Sequence, residues 1–384
     1  MTEKLFYQDS HKSTFTATVQ EVRQSEKGYE IILDRTAFFP EGGGQKSDTG
    51  RIDGVSVVDV QEIDGTIIHY TDGALAKGTV VEGCIDWKER FSKMQQHTGE
   101  HIVSGLINKI YGYHNVGFHL GSDCVTLDFN GVVPKEKLHE IELLANEAVA
   151  KNLPVQVLYP TDEELRKITY RSKIEIEGQV RIVVIDGYDV CACCAPHVKY
   201  TGEIGLIKLV GIQNYKGGVR ISMLCGFRAL EDYHQKEKNN REIAVLLSAK
   251  EYETAAEVNR LKEELAGKKA KITELEEKLL EQKVEMLDVS DEVVCLFEET
   301  DPVMTRELVN LLLEKGTKLA AVFSGDDKEG YRYVLGSRKI DVRAAGKLLN
   351  EAFQGRGGGK AEMVQGTVKG KQEEIRTFLL QGLR

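Results

Sequence analysis

The stretch Gln95-Gln96-His97-Thr98-Gly99-Glu100-His101 places two histidines four residues apart. On a helix this spacing puts both imidazoles on one face, where they can bind a single ion. A second pair with the same spacing lies much later in the chain, in Cys193-Cys194-Ala195-Pro196-His197. Imidazole and thiolate are ligands that zinc prefers, usually in a tetrahedron. The two pairs therefore predict one zinc site, whose ligands are His97, His101, Cys193 and His197.

The composition is that of an ordinary globular protein. A chain of 384 residues with 41% hydrophobic and 29% charged residues is expected to form two or three domains. No apolar run approaches the length that crosses a bilayer, and the first residues lack the apolar stretch of a signal peptide. We therefore expect a cytoplasmic protein with no membrane segment.

Cysteine usage and net charge narrow the function further. Three of the seven cysteines cluster at Cys191, Cys193 and Cys194. In a reducing compartment such a cluster indicates a metal site or a reactive thiol rather than a disulfide. Cys191 and Cys194 are therefore rivals to Cys193 as the metal ligand. The net charge of -10 argues against general nucleic-acid binding, so a polyanionic partner would have to meet local basic patches.

Hydrophobic periodicity predicts an α+β protein in four parts. Residues 1–90 contain short strand-like runs at 15–19, 29–33, 55–60 and 66–70, which indicate a small β-barrel. Residues 91–228 combine helices at 90–111 and 135–152 with strands at 125–129, 180–185 and 204–210. This second part is predicted to be an α+β domain that carries the metal ligands.

The second half of the chain changes character. Residues 229–290 are predicted to form a coiled-coil arm, either a hairpin within the chain or a dimer seam. Its heptad positions hold Val258, Leu261, Leu265, Ile272, Leu275, Leu279 and Met286. Residues 291–384 are predicted to form an α/β domain, with strands at 293–297, 319–323 and 331–335 and helices that begin near Asp301 and Val342.

A glycine-rich segment follows the last of these helices, in Gly355-Arg356-Gly357-Gly358-Gly359-Lys360. One interpretation is a plain helix cap and loop. The other is an anion-binding concavity, in which backbone amides and the two basic side chains meet a phosphate.

Four segments, in the same order along the chain, resemble the sequence motifs of a known family. They are Asp34-Arg35-Thr36-Ala37-Phe38-Phe39-Pro40-Glu41-Gly42-Gly43-Gly44-Gln45, the His97/His101 pair, the Cys193 to His197 segment with the following Thr201-Gly202-Glu203-Ile204-Gly205, and the C-terminal glycine-rich segment. Together they resemble the long-type free-standing alanyl-tRNA editing proteins, which are related to the editing and C-terminal regions of alanyl-tRNA synthetase. One departure is Cys194-Ala195-Pro196, where the family usually has Gly-Gly-Thr.

The resemblance implies a trans-editing hydrolase that deacylates mischarged tRNA(Ala), with Ser-tRNA(Ala) as the main substrate and Gly-tRNA(Ala) as a second. It implies one zinc ion per chain, and tRNA as the partner through its acceptor end and its elbow. A homodimer through the arm or the C-terminal domain is a further expectation. No adenylate-forming region precedes the barrel, so activation of an amino acid with ATP is not expected, although ATP binding is a property of the wider family.

The resemblance also suggests substrate-binding residues, namely Thr36, Gly43, Gly44, Gln45 and His119. We expect the Thr36 hydroxyl to distinguish serine from alanine, because a site that hydrogen-bonds a hydroxyl rejects the analogue lacking it. In the C-terminal domain it suggests a tRNA-binding or dimerisation segment, formed by Arg356, Gly357, Gly358, Gly359 and Lys360. The zinc could be catalytic, substrate-positioning or structural.

Two other functions fit parts of the sequence. Four protein ligands would suit a structural zinc in a non-catalytic tRNA-binding module. His97-Thr98-Gly99-Glu100-His101 also matches the H-x-x-E-H pattern of some zinc peptidases, with Glu100 as general base. That pattern would need a distant carboxylate as third ligand, and Gly99 weakens its helix.

Overall fold

A computed structural model describes residues 2–26, 28–172, 178–289 and 292–382. The chain divides into two compact units, Met1–Glu242 and Ile243–Arg384. The predicted mixed α+β character is confirmed. The four-part domain division stays a prediction, and its last boundary, at 290/291, lies outside the described residues. Within the described ranges no helix is long and apolar enough to cross a membrane.

The first unit begins with a closed sheet. Its elements are β1 (Glu3–Lys4), α1 (Leu5–Gln8), β2 (Thr14–Ser25), β3 (Gly28–Leu33), β4 (Arg35–Thr36), β5 (Gly50–Ile52), β6 (Val55–Ile63), β7 (Thr66–Thr71) and β8 (Val80–Ile85). Six strands pair in the order β2-β3-β7-β6-β5-β8, and β8 pairs with β2, which closes a barrel. Alternate residues of the strands fill its interior, where Ile31, Val60 and Ile67 are fully buried.

The rest of the first unit packs helices on two open sheets. Its elements are α2 (Trp87–Tyr111), β9 (Asn115–Leu120), β10 (Val125–Phe129), α3 (Leu138–Lys151), β11 (Val155–Leu158), α4 (Asp162–Leu165), β12 (Ile182–Ile185), β13 (Asp189–Ala192), β14 (Ile207–Tyr215), β15 (Gly218–Cys225) and the part of α5 (Gly226–Leu247) that precedes Ile243. The sheets have the orders β14-β15-β10-β9 and β11-β12-β13. Helix α2 begins at Asp86, whose side chain accepts from Glu89 N, and ends at Gly112 in the left-handed region.

A buried arginine ties helix α2 to the barrel. Arg90 is fully buried, forms an ion pair with Asp48, and donates to the carbonyl oxygens of Ser10 at 3.0 Å and Ala37 at 2.6 Å. Asp48 Oδ2 also accepts from Phe39 N at 2.7 Å. Because a buried carboxylate needs a charged partner, this network holds the loop between residues 37 and 48 against the start of α2.

The second unit is an α/β structure. Its elements are α6 (Thr254–Met286), β16 (Val293–Phe297), α7 (Pro302–Glu314), β17 (Leu319–Asp326), β18 (Gly330–Gly336), α8 (Arg343–Ala352), β19 (Arg356–Lys360), β20 (Met363–Val368) and α9 (Gln372–Gly382). The sheet order is β16-β17-β18-β20-β19. Helix α7 begins as predicted, because the Asp301 side chain accepts from the amides of Val303 and Met304, and Pro302 occupies the first turn.

Two expectations for the second half of the chain need revision. The glycine-rich segment is not a loop: Arg356–Lys360 is an edge strand paired antiparallel with β20. Helix α6 covers the predicted heptads, but all seven of the named heptad side chains are exposed, from 42% at Val258 to 88% at Met286. The helix is therefore present, whereas its pairing into a coiled coil stays a prediction.

Candidate metal centre and substrate loop

The two predicted ligand pairs meet in the first unit. His97 and His101 project from α2, and Cys193 and His197 come from the loop after β13. Their ligand atoms lie within 4.8 Å of one another. Cys193 Sγ lies 3.5 Å from His97 Nε2 and 3.4 Å from His197 Nε2. The three histidines are buried and Cys193 is half-buried.

Each imidazole uses its Nδ1 atom for a partner outside this group. The three contacts are His97 to Gln45 Oε1 at 3.1 Å, His197 to Thr98 Oγ1 at 3.1 Å, and His101 to Asp189 Oδ2 at 2.9 Å. Amide and carboxylate oxygens only accept, so His97 and His101 carry a proton on Nδ1 and leave Nε2 available as a ligand. Histidines that bind metals usually have such partners. One thiol and three imidazoles held in this way fit a zinc ion.

Electrostatics favour the metal-binding form of the thiol. Burial alone would raise the pKa of Cys193, but the neighbouring His97 and hydrogen bonds to His101 and His197 hold that pKa well below its usual value. Burial lowers the pKa of His197 to about 3, which keeps this ring neutral. Burial would also lower the pKa of His101, yet Cys191 and Asp189 raise it well above the usual value.

The two rival cysteines occupy different surroundings. Cys191 is buried, and its thiol lies within 4.8 Å of donor atoms of His101 and Asp189. Arg171, however, donates to both carboxylate oxygens of Asp189, at 2.7 and 2.9 Å, and its positive charge disfavours a second cation there. Cys194 is exposed beside Gly43, on the outer side of the loop. Cys193 is the cysteine that the fold brings to the three histidines.

A tight glycine turn borders the metal ligands. Gly42 and Gln45 exchange two backbone hydrogen bonds of 3.0 Å, and Gly43 and Gly44 have φ angles of 61° and 79°. These positive angles are those of a type I′ turn, which glycine adopts readily. A Cβ atom at Gly44 would also lie 2.7 Å from the ring of Phe118. The turn thereby places the buried Gln45 side chain against His97.

Thr36 has a different environment from the one predicted. It is fully buried, and its hydroxyl lies 2.8 Å from His69 Nε2 and accepts from Phe38 N at 3.1 Å. His69 Nδ1 lies 3.0 Å from the carbonyl oxygen of Ile31, so it carries the ring proton and Nε2 accepts from Thr36. Burial lowers the pKa of His69 to about 4, which keeps the ring neutral. The Thr36 hydroxyl is thus bonded to a side chain of the barrel strand β7, and its predicted contact with the substrate stays a prediction.

Gln45 and His119, two other predicted substrate-binding residues, have surroundings that differ from those expected. The Oε1 atom of Gln45 is engaged by His97, so only the Nε2 end of this amide remains for a substrate. His119 is exposed on β9, and the side chain that reaches the site is its neighbour Phe118, whose ring centroid lies 4.7 Å from that of His97. Successive residues of a strand point to opposite faces, so the geometry does not place His119 in the pocket wall.

Sequence reasoning missed His69, Thr98, Phe118 and Asp189. Strand alternation offered one signal, since Ile67, His69 and Thr71 occupy inward positions of β7. The other three residues are recognisable only through contacts with segments distant in sequence.

The predicted tRNA-binding residues lie in the second unit. All five residues of β19 are exposed. Arg356 borders an open groove of about 1340 Å³, together with Arg332 and Lys369. This groove brings three basic side chains to one region of the sheet.

Comparison with known proteins agrees with this arrangement. Residues 2–89 match the class II (A) tRNA synthetase model, residues 180–222 the threonyl and alanyl tRNA synthetase second additional domain, and residues 290–382 the DHHA1 domain. These three ranges are what the chain shares with the models of tRNA synthetases and of the DHHA1 domain. The second match contains the loop with Cys193 and His197 as well as Asp189.

Relatives of two lengths match the chain. It is 29% identical to the alanyl-tRNA editing protein AlaX-L of Pyrococcus horikoshii, over all of this chain and 99% of that protein. It is 32% identical to the alanine–tRNA ligase of Natronomonas pharaonis, over 93% of this chain and 40% of that enzyme. The chain therefore spans about two fifths of the ligases that it matches.

Proposed function

We propose that the protein is a trans-editing hydrolase that deacylates mischarged tRNA(Ala) at a site with one zinc ion. Ser-tRNA(Ala) is the main proposed substrate and Gly-tRNA(Ala) the second. The observation that carries the proposal is the convergence of three imidazoles and the Cys193 thiol beside an exposed glycine turn. The three matched domains and the AlaX-L relative support the same class of enzyme, an aminoacyl-tRNA deacylase.

The residues around the centre have separate tasks. His97, His101, Cys193 and His197 would hold the zinc, which when bound supplies Lewis acidity for ester hydrolysis. The exposed backbone of Gly43 and Gly44 lets the acylated ribose approach without a side chain in the way.

Gln45 is the proposed reader of the serine hydroxyl, in place of Thr36. Its Nε2 atom is buried and has no hydrogen-bond partner within the described part of the chain. A donor in this position is stabilised by a substrate hydroxyl and left unpaired by alanine. Thr36 then has a positioning role, since its hydroxyl is bonded to His69 within the barrel.

The second unit is the proposed contact with the tRNA backbone. Arg332, Arg356 and Lys369 border one groove, and phosphate contacts from Arg and Lys give most of the affinity in such complexes. Asp301 and Glu329 also line this groove, so its three basic side chains exceed its acidic ones by one.

Deacylation assays test the proposal. The purified chain is incubated with Ser-, Gly- and Ala-charged tRNA(Ala), with and without a zinc chelator. We expect hydrolysis of the first two, protection of the third, loss of activity on chelation and recovery on adding zinc. A folded, zinc-loaded chain that leaves Ser-tRNA(Ala) intact contradicts the proposal.

A non-catalytic module with structural zinc is the second candidate, favoured by the closed set of four protein ligands. Cys193→Ala separates the two: a folded, inactive variant supports the editing site, and failure to fold supports the structural role.

The peptidase alternative is disfavoured by the position of Glu100. This residue is 1% exposed, and its Oε1 accepts from Ser104 Oγ at 2.7 Å and Asn115 Nδ2 at 2.6 Å. Its Oε1 is thereby committed to these two donors, and the H-x-x-E-H pattern also needs a distant carboxylate as third ligand, where this chain has Cys193 and His197. Glu100→Gln with a peptidase assay checks the point.

A further inference from the structure

A buried carboxylate supports one of the three imidazoles. Asp189 Oδ2 accepts from His101 Nδ1 at 2.9 Å, and both side chains are 2% exposed. We propose that Asp189, held by Arg171, is a positioning residue that presents His101 Nε2 to the metal. The inference rests on the proposed zinc site and is independent of which substrate is hydrolysed.

Arg171 fixes the carboxylate from the other side. Its Nε donates to Oδ1 at 2.7 Å and its second nitrogen to Oδ2 at 2.9 Å, so the guanidinium grips both oxygens. The backbone of Arg171 is also anchored on β13, because its amide donates to Val190 O at 2.8 Å and its carbonyl accepts from Ala192 N at 2.9 Å. The orientation of the Asp189 carboxylate is therefore set by the fold itself.

The glycine at position 105 of α2 leaves room for the contact between Asp189 and His101. Gly105 lies one turn after His101 on the same helix face. A Cβ atom there would lie 2.2 Å from the carbonyl oxygen of Tyr188 and 2.9 Å from Asp189 Cβ. Glycine at this position lets the start of β13 lie directly against the helix, within reach of the imidazole.

Asp189 differs from the other two outer partners by its charge. Gln45 and Thr98 are neutral, whereas a carboxylate on Nδ1 makes Nε2 a stronger ligand. In Asp189→Asn, one end of the amide becomes a donor. If the amide nitrogen takes the place of Oδ1, it faces Nε of Arg171, which is also a donor. If it takes the place of Oδ2, it faces the other guanidinium donor and displaces the Nδ1 proton of His101. The variant keeps the volume and loses the support.

Metal affinity tests the inference directly. Zinc binding is measured by competition with a chromogenic chelator, and folding by circular dichroism. Asp189→Asn is expected to bind zinc about 10–100-fold more weakly, the usual loss for an outer partner, and to change the visible spectrum of the cobalt-substituted protein. Asp186→Asn, an exposed aspartate three positions earlier, is the matched control and should leave both unchanged. A folded Asp189→Asn with unchanged zinc affinity overturns the inference.

A second measurement covers a variant that does not fold. In zinc-loaded wild-type protein labelled with ¹⁵N-histidine, NMR should find the His101 proton on Nδ1 and the metal on Nε2. Metal on Nδ1, or no proton there, overturns the inference. Failure of the proposed function looks different: a chain that hydrolyses no aminoacyl-tRNA but loses zinc affinity in Asp189→Asn keeps the inference and removes the editing activity.

Discussion

Two runs of three glycines, at residues 42–44 and 357–359, fold in opposite ways. In the first, Gly42 and Gln45 close a tight turn, and Gly43 and Gly44 have positive φ angles. In the second, each glycine pairs in register with β20, and none has a positive φ angle. The first run brings a buried amide to a metal ligand, whereas the second forms the exposed edge of a sheet.

This difference shows that contacts with residues distant in sequence decide whether a glycine run forms a turn or a strand. Glycine permits both conformations at little steric cost. The first run is closed by two backbone hydrogen bonds between Gly42 and Gln45, and the ring of Phe118 lies against Gly44. The second lies beside β20, whose open backbone groups pair with any extended neighbour.

The largest expected effect comes from adding one methyl group to each run. Gly44→Ala forces a left-handed conformation and brings Cβ to 2.7 Å from the Phe118 ring. We expect a loss of about 2–4 kcal/mol in unfolding free energy, from backbone strain together with the steric clash. Gly358→Ala meets nothing within 4 Å and should change stability by less than about 0.5 kcal/mol. Urea denaturation measures both, and equal losses would contradict the comparison.

A second test replaces the residue that follows each glycine run with leucine. Gln45→Leu deprives His97 Nδ1 of its acceptor and should weaken zinc binding about 10–100-fold, or about 1.4–2.7 kcal/mol. Lys360→Leu, after the second run, should leave zinc affinity unchanged because this side chain is exposed in the second unit. Chelator competition measures both variants. An unaltered affinity in Gln45→Leu would show that the turn does not serve the metal ligand.

A third test uses pH. The barrel that carries the first run holds neutral His69, whereas no histidine occurs after His234. Burial lowers the folded-state pKa of His69 to about 4. Between this value and the unfolded pKa of about 6.5, the unfolded chain binds the extra proton, so folding stability falls as pH falls. Between pH 7 and pH 5, the unfolding free energy of His69→Gln should therefore fall by about 2 kcal/mol less than that of wild type. Denaturation at the two pH values measures this, and equal losses would remove His69 as the cause.

The smallest expected effect concerns tRNA affinity. Arg356→Gln removes a basic side chain from the groove next to the second run. We expect KM for charged tRNA to rise about 3–10-fold with kcat unchanged. The slope of log affinity against log salt concentration should become shallower by about one unit. Arg306→Gln, an exposed arginine on α7 outside the groove, is the control. An equal effect from both variants would mean that the groove has no special role.

Local chemistry explains which features were predictable. The start of α7 follows from Asp301 and Pro302, because a cap and a fixed φ act within one turn. The His97/His101 pair follows from helical spacing. Strand β8 was missed, since Glu82, Gly83 and Cys84 interrupt its apolar pattern, although Val81 and Ile85 face inward. The exposed face of this strand mixes Val80 with Glu82 and Cys84, so the sequence shows no clean alternation of apolar and polar residues.

The role of Thr36 shows the same limit. A threonine next to a glycine-rich loop suggests a substrate contact, but the partner of its hydroxyl is His69, 33 residues away. Periodicity can place His69 inside the barrel, but it does not identify the strand that packs opposite.

The sequence alone determined the ligand types and their spacing, since a thiol and three imidazoles are set by residue identity and by the pitch of a helix. Only the tertiary structure decided which nitrogen of each ring points inward. That choice depends on hydrogen bonds from His97, His101 and His197 to residues 52, 88 and 99 positions away. Bonds of a few ångströms between such distant positions exist only once the chain has folded.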